Sequence, residues 1–334
     1  GVQGVVVEVQ GAGRLVVPEV AGPLRSASDV GYSAEPLPLP RTALLRFGEA
    51  LTLVDISRLD DLDGLGTSPT SAGASSPATA SGTSELPSIP AAYGEFAVSA
   101  DGADVVAVVS GGSEVARWHN RERASLPALT STVRPSYDAE DRLWVATSDG
   151  NESRVVTLNA RAPFDPAQPV VADWLTGRTV LALAVSRDGS RVGVVSSSPE
   201  GADVRMDVAG IVRDSTGAPT ALAAPYRQAD PLSRITDVVW IDDTTLAALG
   251  AVEAGEALRP WIVQLGQGIG LRRIGIADPA TNLIPVAAAA RYLVSTSGPR
   301  GIVVVAQPGG VLVRVGGSWR ALEGASEIAV PPRG

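Results

Sequence analysis

The stretch LALAVSRDGSRVGVVS, residues 181–196, reads as two short apolar arms folded back on each other across Asp188-Gly189. Asp-Gly suits the positive backbone angles of a tight turn, and arms rich in Val and Ala predict strands rather than helix. A twelve-residue frame built on this hairpin recurs at 97–108 (AVSADGADVVAV), 135–146 (PSYDAEDRLWVA), 184–195 and 238–249 (VVWIDDTTLAAL), each with a central Asp: Asp101, Asp138, Asp188 and Asp242. Neighbouring copies begin 38, 49 and 54 residues apart. A module of about 40 to 50 residues made of short strands has the size of a β-propeller blade. The period predicts an all-β chain closed into a propeller of six blades, with five and seven as the alternatives.

Outward from the repeat, residues 2–17 alternate strongly enough for two strands joined across 11–13, a hairpin that lacks the Asp-centred frame. It either closes the ring or ends a preceding domain. Runs at 42–47 and 50–55 make a degenerate first blade, followed by blades at 96–120, 133–159, 180–223, 235–276 and 284–322. Between the first two lies a Ser-, Thr-, Ala-, Gly- and Pro-rich run, 66–92, which buries too little apolar surface to offset chain entropy and is expected to be a disordered insertion. Small residues such as Ala97, Ala182, Ala184 and Ala287 suit crowded inner strands, while Trp144 and Trp261 are expected to fill the widening gaps between blades.

The chain has 334 residues, 45% of them hydrophobic and 19% charged, which is enough to bury a large core. A formal net charge of -9 argues against nucleic acid, whose binding needs clustered cations. All 27 basic residues are Arg, and the absence of Cys excludes disulfides and thiolate chemistry. No window has the apolar length of a transmembrane helix. The opening at Gly1 is expected to mark a processed or excised piece whose targeting segment lies upstream.

Chemistry-bearing motifs are sparse. His119 is the sole histidine, so a His-based metal site or a Ser-His-Asp triad would hang on one residue, and nothing around it supports either. The repeated Asp residues occupy a turn position that favours Asp through local hydrogen bonding, which makes them turn formers and not a carboxylate set. No Gly-x-Ser-x-Gly elbow is present. The run at 266–270 (GQGIG) mimics a phosphate loop, but strands flank it and no helix follows. Neither a catalytic residue, a metal ligand nor a cofactor is therefore expected. The densest cluster of aromatic and basic residues, Trp118 with Arg117, Arg121 and Arg123, is read as an exposed loop able to anchor a protein partner.

The AVSRDGSRV segment at 184–192, the PSYD and RLWV segments at 135–138 and 142–145, and the opening GVQGVVVEV leading to VVP at 16–18 together resemble the LpqB family of actinobacterial lipoproteins. The resemblance implies a lipid-anchored N-terminal region, a GerMN-type domain and a C-terminal propeller, acting as an accessory to the extracytoplasmic sensor of the MtrAB two-component system. On that reading residues 1–24 end the GerMN-like domain, 25–334 form the propeller, and the partner is the extracytoplasmic domain of a sensor histidine kinase. It also implies attachment to the outer face of the membrane only through a lipid anchor outside this chain, and it offers no catalytic residue to carry over. The rivals are a propeller enzyme of the lactone hydrolase or glycosidase type, which needs carboxylates or a metal converging on the channel, and a TolB-like envelope scaffold.

Overall fold

The computed structural model describes residues 4–9, 13–18, 42–55, 88–109, 114–119, 122–124, 126, 129–131, 133–149, 152–159, 166–228, 232–242, 244–256, 258–265, 291–295, 303–307, 310–315, 318–322 and 324–332. The Asp-Gly turn at 188–189 joins β13 (Thr179–Val185) to β14 (Arg191–Ser197) in antiparallel register, with Val185 opposite Val192 and Leu183 opposite Val194. Asp188 Oδ1 accepts the Ser190 amide at 3.0 Å and the Ser186 hydroxyl at 2.5 Å. Asp101 takes the amide of Ala103 at 2.9 Å, Asp138 that of Glu140 at 3.0 Å, and Asp242 that of Thr244 at 2.8 Å. In all four copies the carboxylate binds the amide two residues on, the local bond that the turn reading requires. Asp214 repeats the device on Thr216, outside the frame that the sequence revealed.

Five antiparallel sheets are each drawn from one continuous stretch of chain. The first holds β5 (Tyr93–Val98), β6 (Asp104–Val109), β7 (Val115–His119) and β8 (Glu122–Ala124). The second holds β9 (Ser136–Tyr137), β10 (Arg142–Asp149), β11 (Glu152–Asn159) and β12 (Gln168–Val170). In the third, β13 and β14 are followed by β15 (Val204–Arg213), which pairs both β16 (Pro219–Leu222) and β17 (Tyr226–Gln228). The fourth consists of β18 (Arg234–Asp242), β19 (Thr245–Ala251) and β20 (Arg259–Gln264). The fifth runs β21 (Tyr292–Ser295), β22 (Val303–Gln307), β23 (Gly310–Val315) and β24 (Ser318–Leu322). Near the start of the chain β1 (Gly4–Val9) pairs β2 (Gly13–Pro18) as a two-stranded hairpin.

One expectation is corrected here. The hairpin of β3 (Thr42–Phe47) and β4 (Ala50–Asp55) is not a sixth blade in its own right, because its inner strand comes from the far end of the chain: β25 (Ala325–Ala329) pairs β3, with Ile328 opposite Leu45. Among the described residues the count is thus five continuous blades rather than six, with a composite sheet of β25, β3 and β4 closing the ring. A sheet edge left open at that seam would expose unpaired amides, so the join removes an edge that would otherwise need protection.

The core is divided into wedges between neighbouring sheets. Trp144, Leu183 and Val194 share one wedge, and Trp240, Trp261 and Met206 share the next. Both Trp144 and Trp261 lie where the sequence places them, between blades, and Trp144 Nε1 donates to Asp138 Oδ2 at 3.0 Å so that its polar tip is satisfied. Residues 66–87 and 266–290, which include most of the Ser/Thr/Pro run, Ala287 and the GQGIG segment, lie outside the described residues. The last part of that run is ordered: Ile89 is fully buried, and its carbonyl accepts from Arg46 Nη2 at 3.0 Å. Helical content among the described residues is one 3-10 turn, Asp173–Leu175, and no helix is long and apolar enough to cross a membrane.

Candidate functional site at the ring axis

The innermost strands, in ring order β25, β5, β9, β13, β18 and β21, each have a sheet neighbour on one side only, so their other edges present backbone groups that need partners. Side chains from the adjacent sheet supply them at every junction. Glu327 Oε2 accepts the Glu95 amide at 3.3 Å, Asp141 Oδ1 the Ala100 amide at 2.8 Å, and Ser136 Oγ the Val185 amide at 3.1 Å. Trp240 Nε1 donates to the Ala184 carbonyl at 2.9 Å, Asp237 Oδ2 accepts the Leu293 amide at 2.6 Å, and the Tyr292 hydroxyl accepts the Ile328 amide at 3.1 Å. These bonds form a belt around the axis.

Charged residues from five sheets meet inside this belt. Arg134, just before β9, reaches past the third sheet to Asp237 on β18 at 3.1 Å and lies over the Tyr292 ring at 4.7 Å. Arg291 pairs with Glu327, whose other oxygen accepts from the Tyr292 hydroxyl at 2.5 Å. Glu95 joins them from a bulge in β5 with φ 53, a left-handed conformation that a non-glycine residue holds only where its surroundings impose it. Burial raises the Asp237 and Glu95 carboxyls above their ordinary range, against the opposing charge of Arg134 in both cases. Removing one partner of such a buried pair leaves a charge without compensation, at a cost of about 3–5 kcal/mol.

On the five sheets that contribute to the cluster, the charged residue precedes the residues that line an axial cavity of about 110 Å³, whose wall is formed by 96–98, 135–137, 183–185, 239–240, 294–295 and 329–332, with Arg134 and Arg187. The charge cluster therefore stands toward the end of the channel where the inner strands start, and the cavity lies toward the end where they finish. The Asp237 and Glu327 carboxylates accept hydrogen bonds from backbone amides and ion pairs from Arg, which are structural duties. Among the described residues no three His, Asp or Glu side chains gather to hold a metal.

The residues singled out in the sequence fall elsewhere. Trp118 is 4% exposed and packs edge-on against Tyr93 at 5.1 Å, in the wedge shared with Leu44 and Leu51 of the composite sheet. Arg117 is 3% exposed, its Nε donating to Asp104 Oδ1 at 2.6 Å, an oxygen that also lies 3.0 Å from His119 Nδ1. The expectation of an exposed loop is corrected for these two: they sit on β7, a strand covered on both faces. Arg123, 58% exposed and paired with Glu114, is the described member of the set at the surface; Arg121 lies outside the described residues. Sequence reading missed Glu95, Arg134, Asp237, Arg291 and Glu327, although a single charge inside an apolar run, as in 236–241 (TDVVWI) or 326–330 (SEIAV), was the available signal.

A closed ring of antiparallel sheets, belted at its axis and packed in radial wedges, defines a β-propeller. The chain belongs to the family described as the lipoprotein LpqB beta-propeller domain, which matches residues 73–332. No curated protein matches the chain. Similar solved structures include one from a study of two prolyl endopeptidases, at 18% identity and TM-score 0.44, covering 82% of this chain and 40% of that one. Kluyveromyces lactis Hsv2 is similar at 11% identity and TM-score 0.41, with 72% of this chain and 74% of that chain covered. A puromycin-hydrolyzing peptidase of Mycobacterium tuberculosis is similar at 17% identity and TM-score 0.37, covering 75% of this chain and 36% of that one. The chain thus spans well under two thirds of the endopeptidase and peptidase chains.

Proposed function

We propose that this propeller is a non-catalytic protein-binding module of a cell-envelope lipoprotein, that it works outside the cytoplasmic membrane, and that its partner is the extracytoplasmic domain of a sensor histidine kinase of the MtrAB type. The observation that carries the reading is the family match across 73–332, to a domain described as that of a lipoprotein. The axis adds support: propeller enzymes need groups free to act on a substrate, whereas Asp237 and Glu327 are committed to Arg134, Arg291 and backbone amides. On this reading residues 1–24 end the preceding GerMN-like domain, and exposed Arg123, with Arg121, supplies a salt-sensitive contact to the partner.

Isothermal titration of the purified sensor domain into this chain tests it. Saturable binding that weakens with added salt is the expected result. No heat of binding at high micromolar concentrations, or turnover of lactone or aryl-glycoside substrates by the chain alone, would overturn the reading.

A further inference from the structure

We infer that residues 330–332, Val-Pro-Pro, form a plug seated in the end of the axial channel where the inner strands finish, and that this plug governs access to the cavity behind it. The inference is independent of the protein-binding reading and stands if that reading falls.

The seam makes the plug possible. Inner strands β5, β9, β13 and β18 each lead into an Asp turn that carries the chain outward to the next strand of the same sheet. β25 has no such turn to make, because its neighbour β3 comes from far earlier in the chain. The chain is thus able to continue past Ala329 at the axis, and Ala329, Val330, Pro331 and Pro332 all line the cavity.

Packing seats the segment there. Val330 lies against the wedge that holds Tyr292, Val294 and Ile328, and Pro331 and Pro332 are both buried. Among the described residues none is hydrogen-bonded to 330–332. The residue types account for this. A proline has no amide hydrogen, so burying two in succession orphans no donor at either, and each holds the residue before it extended. The segment is therefore stiff enough to keep its course past β25 without a partner strand. Lifting it out breaks no hydrogen bond and exposes only one valine and two proline rings, so the plug can open while β25 stays paired to β3.

The chain has no cysteine, so one introduced thiol reports access to the cavity directly. Val239→Cys places it on the cavity wall at a partly buried position of β18. Val194→Cys, fully buried in a wedge outside that wall, is the closed reference, and Leu53→Cys, 42% exposed, is the open one. Each is alkylated with iodoacetamide and followed by intact mass, with and without Pro331→Gly and Pro332→Gly, which restore backbone freedom and remove both rings. The Val239→Cys thiol is expected to react at least tenfold more slowly than that of Leu53→Cys while the prolines are present. Replacing them should accelerate it at least tenfold and leave the Val194→Cys thiol unreactive. A Val239→Cys thiol that reacts as fast as that of Leu53→Cys in the presence of the prolines, or at a rate the glycines do not change, overturns the inference. So does equal acceleration at Val194→Cys, because the prolines would then hold the ring together and not close its axis.

Discussion

Replacing Gly189 by Ala asks whether the recurring turn is a purely local device or part of the wall between blades. Gly189 stands at φ +66, and a Cβ placed there falls 2.8 Å from Arg213 Nη2. Gly102, in the same place two blades earlier, stands at φ +73 with nothing within 4 Å. Both substitutions force a side chain into the left-handed region, at about 1–2 kcal/mol. Only the first must also move Arg213. A guanidinium is ordinarily the soft end of a long side chain, but this one donates to the Gly189 and Gly217 carbonyls, each at 2.8 Å, and lies 3.6 Å from the fully buried Asp138 carboxylate. Displacing it forfeits a charge-assisted hydrogen bond and draws a cation off a buried anion, about 1.5–3 kcal/mol more. Gly102→Ala is therefore expected to cost about 1–2 kcal/mol and Gly189→Ala about 2.5–5 kcal/mol, measured as shifts in the urea midpoint at unchanged slope. On an Arg213→Ala background the two glycine substitutions should become equal. Equal costs in the parent background would refute the reasoning, showing that Arg213 yields freely and that the turn is independent of its neighbour.

Trp118→Ala should destabilise the chain by about 3–5 kcal/mol, as large-to-small changes in a packed core do, whereas Arg123→Ala at an exposed pair should cost under about 1 kcal/mol; urea unfolding of both separates a buried ring from a surface anchor. Ile89→Ala should cost about 2–4 kcal/mol by the same assay, although it stands in a Ser- and Pro-rich run, and a cost near zero would remove it from the core. Glu95→Gln tests the axial charges through pH. Burial lifts the Glu95 carboxyl above its ordinary value, so the folded chain keeps that proton to higher pH than the unfolded chain does, and the stability it contributes is full below the ordinary carboxylate range and lost as pH rises through the lifted value. The variant should therefore gain stability relative to the parent as pH rises from 4 toward 7, and a gain in the opposite direction would show that Arg134 and Arg291 outweigh burial.

What the sequence made legible follows from how local each interaction is. The Asp188-Gly189 turn could be read because its defining bond reaches only from Asp188 to Ser190, and the same is true of Asp101, Asp138 and Asp242. The composite sheet could not: nothing in TALLRF at 42–47 marks it as waiting for ASEIA at 325–329, since strand pairing leaves no trace in either partner beyond an apolar row. For the same reason a degenerate blade was read where half of one stands. Trp118 misled because an aromatic ring beside three Arg residues has the composition of a surface anchor. Its burial depends on Asp104, which neutralises Arg117 from the neighbouring strand and so allows β7 to sit inside. The axial cluster was the least legible, because Glu95, Arg134, Asp237, Arg291 and Glu327 each stand alone in the chain and acquire a common meaning only when the ring brings five strand starts to one point.

The seam between β25 and β3 also sets an order of events during synthesis. A chain emerging from its N-terminal side presents Thr42–Phe47 long before Ala325–Ala329 has been made. At roughly 5–20 residues per second the wait is on the order of 15 to 60 s. Throughout it Leu44 and Leu45, both buried in the finished ring, stand beside a row of unpaired amides that any other extended chain can match. The late-made β25 is thus the latch, and whatever holds β3 in the meantime, whether a chaperone or a second nascent copy, competes with β25 for the same hydrogen bonds.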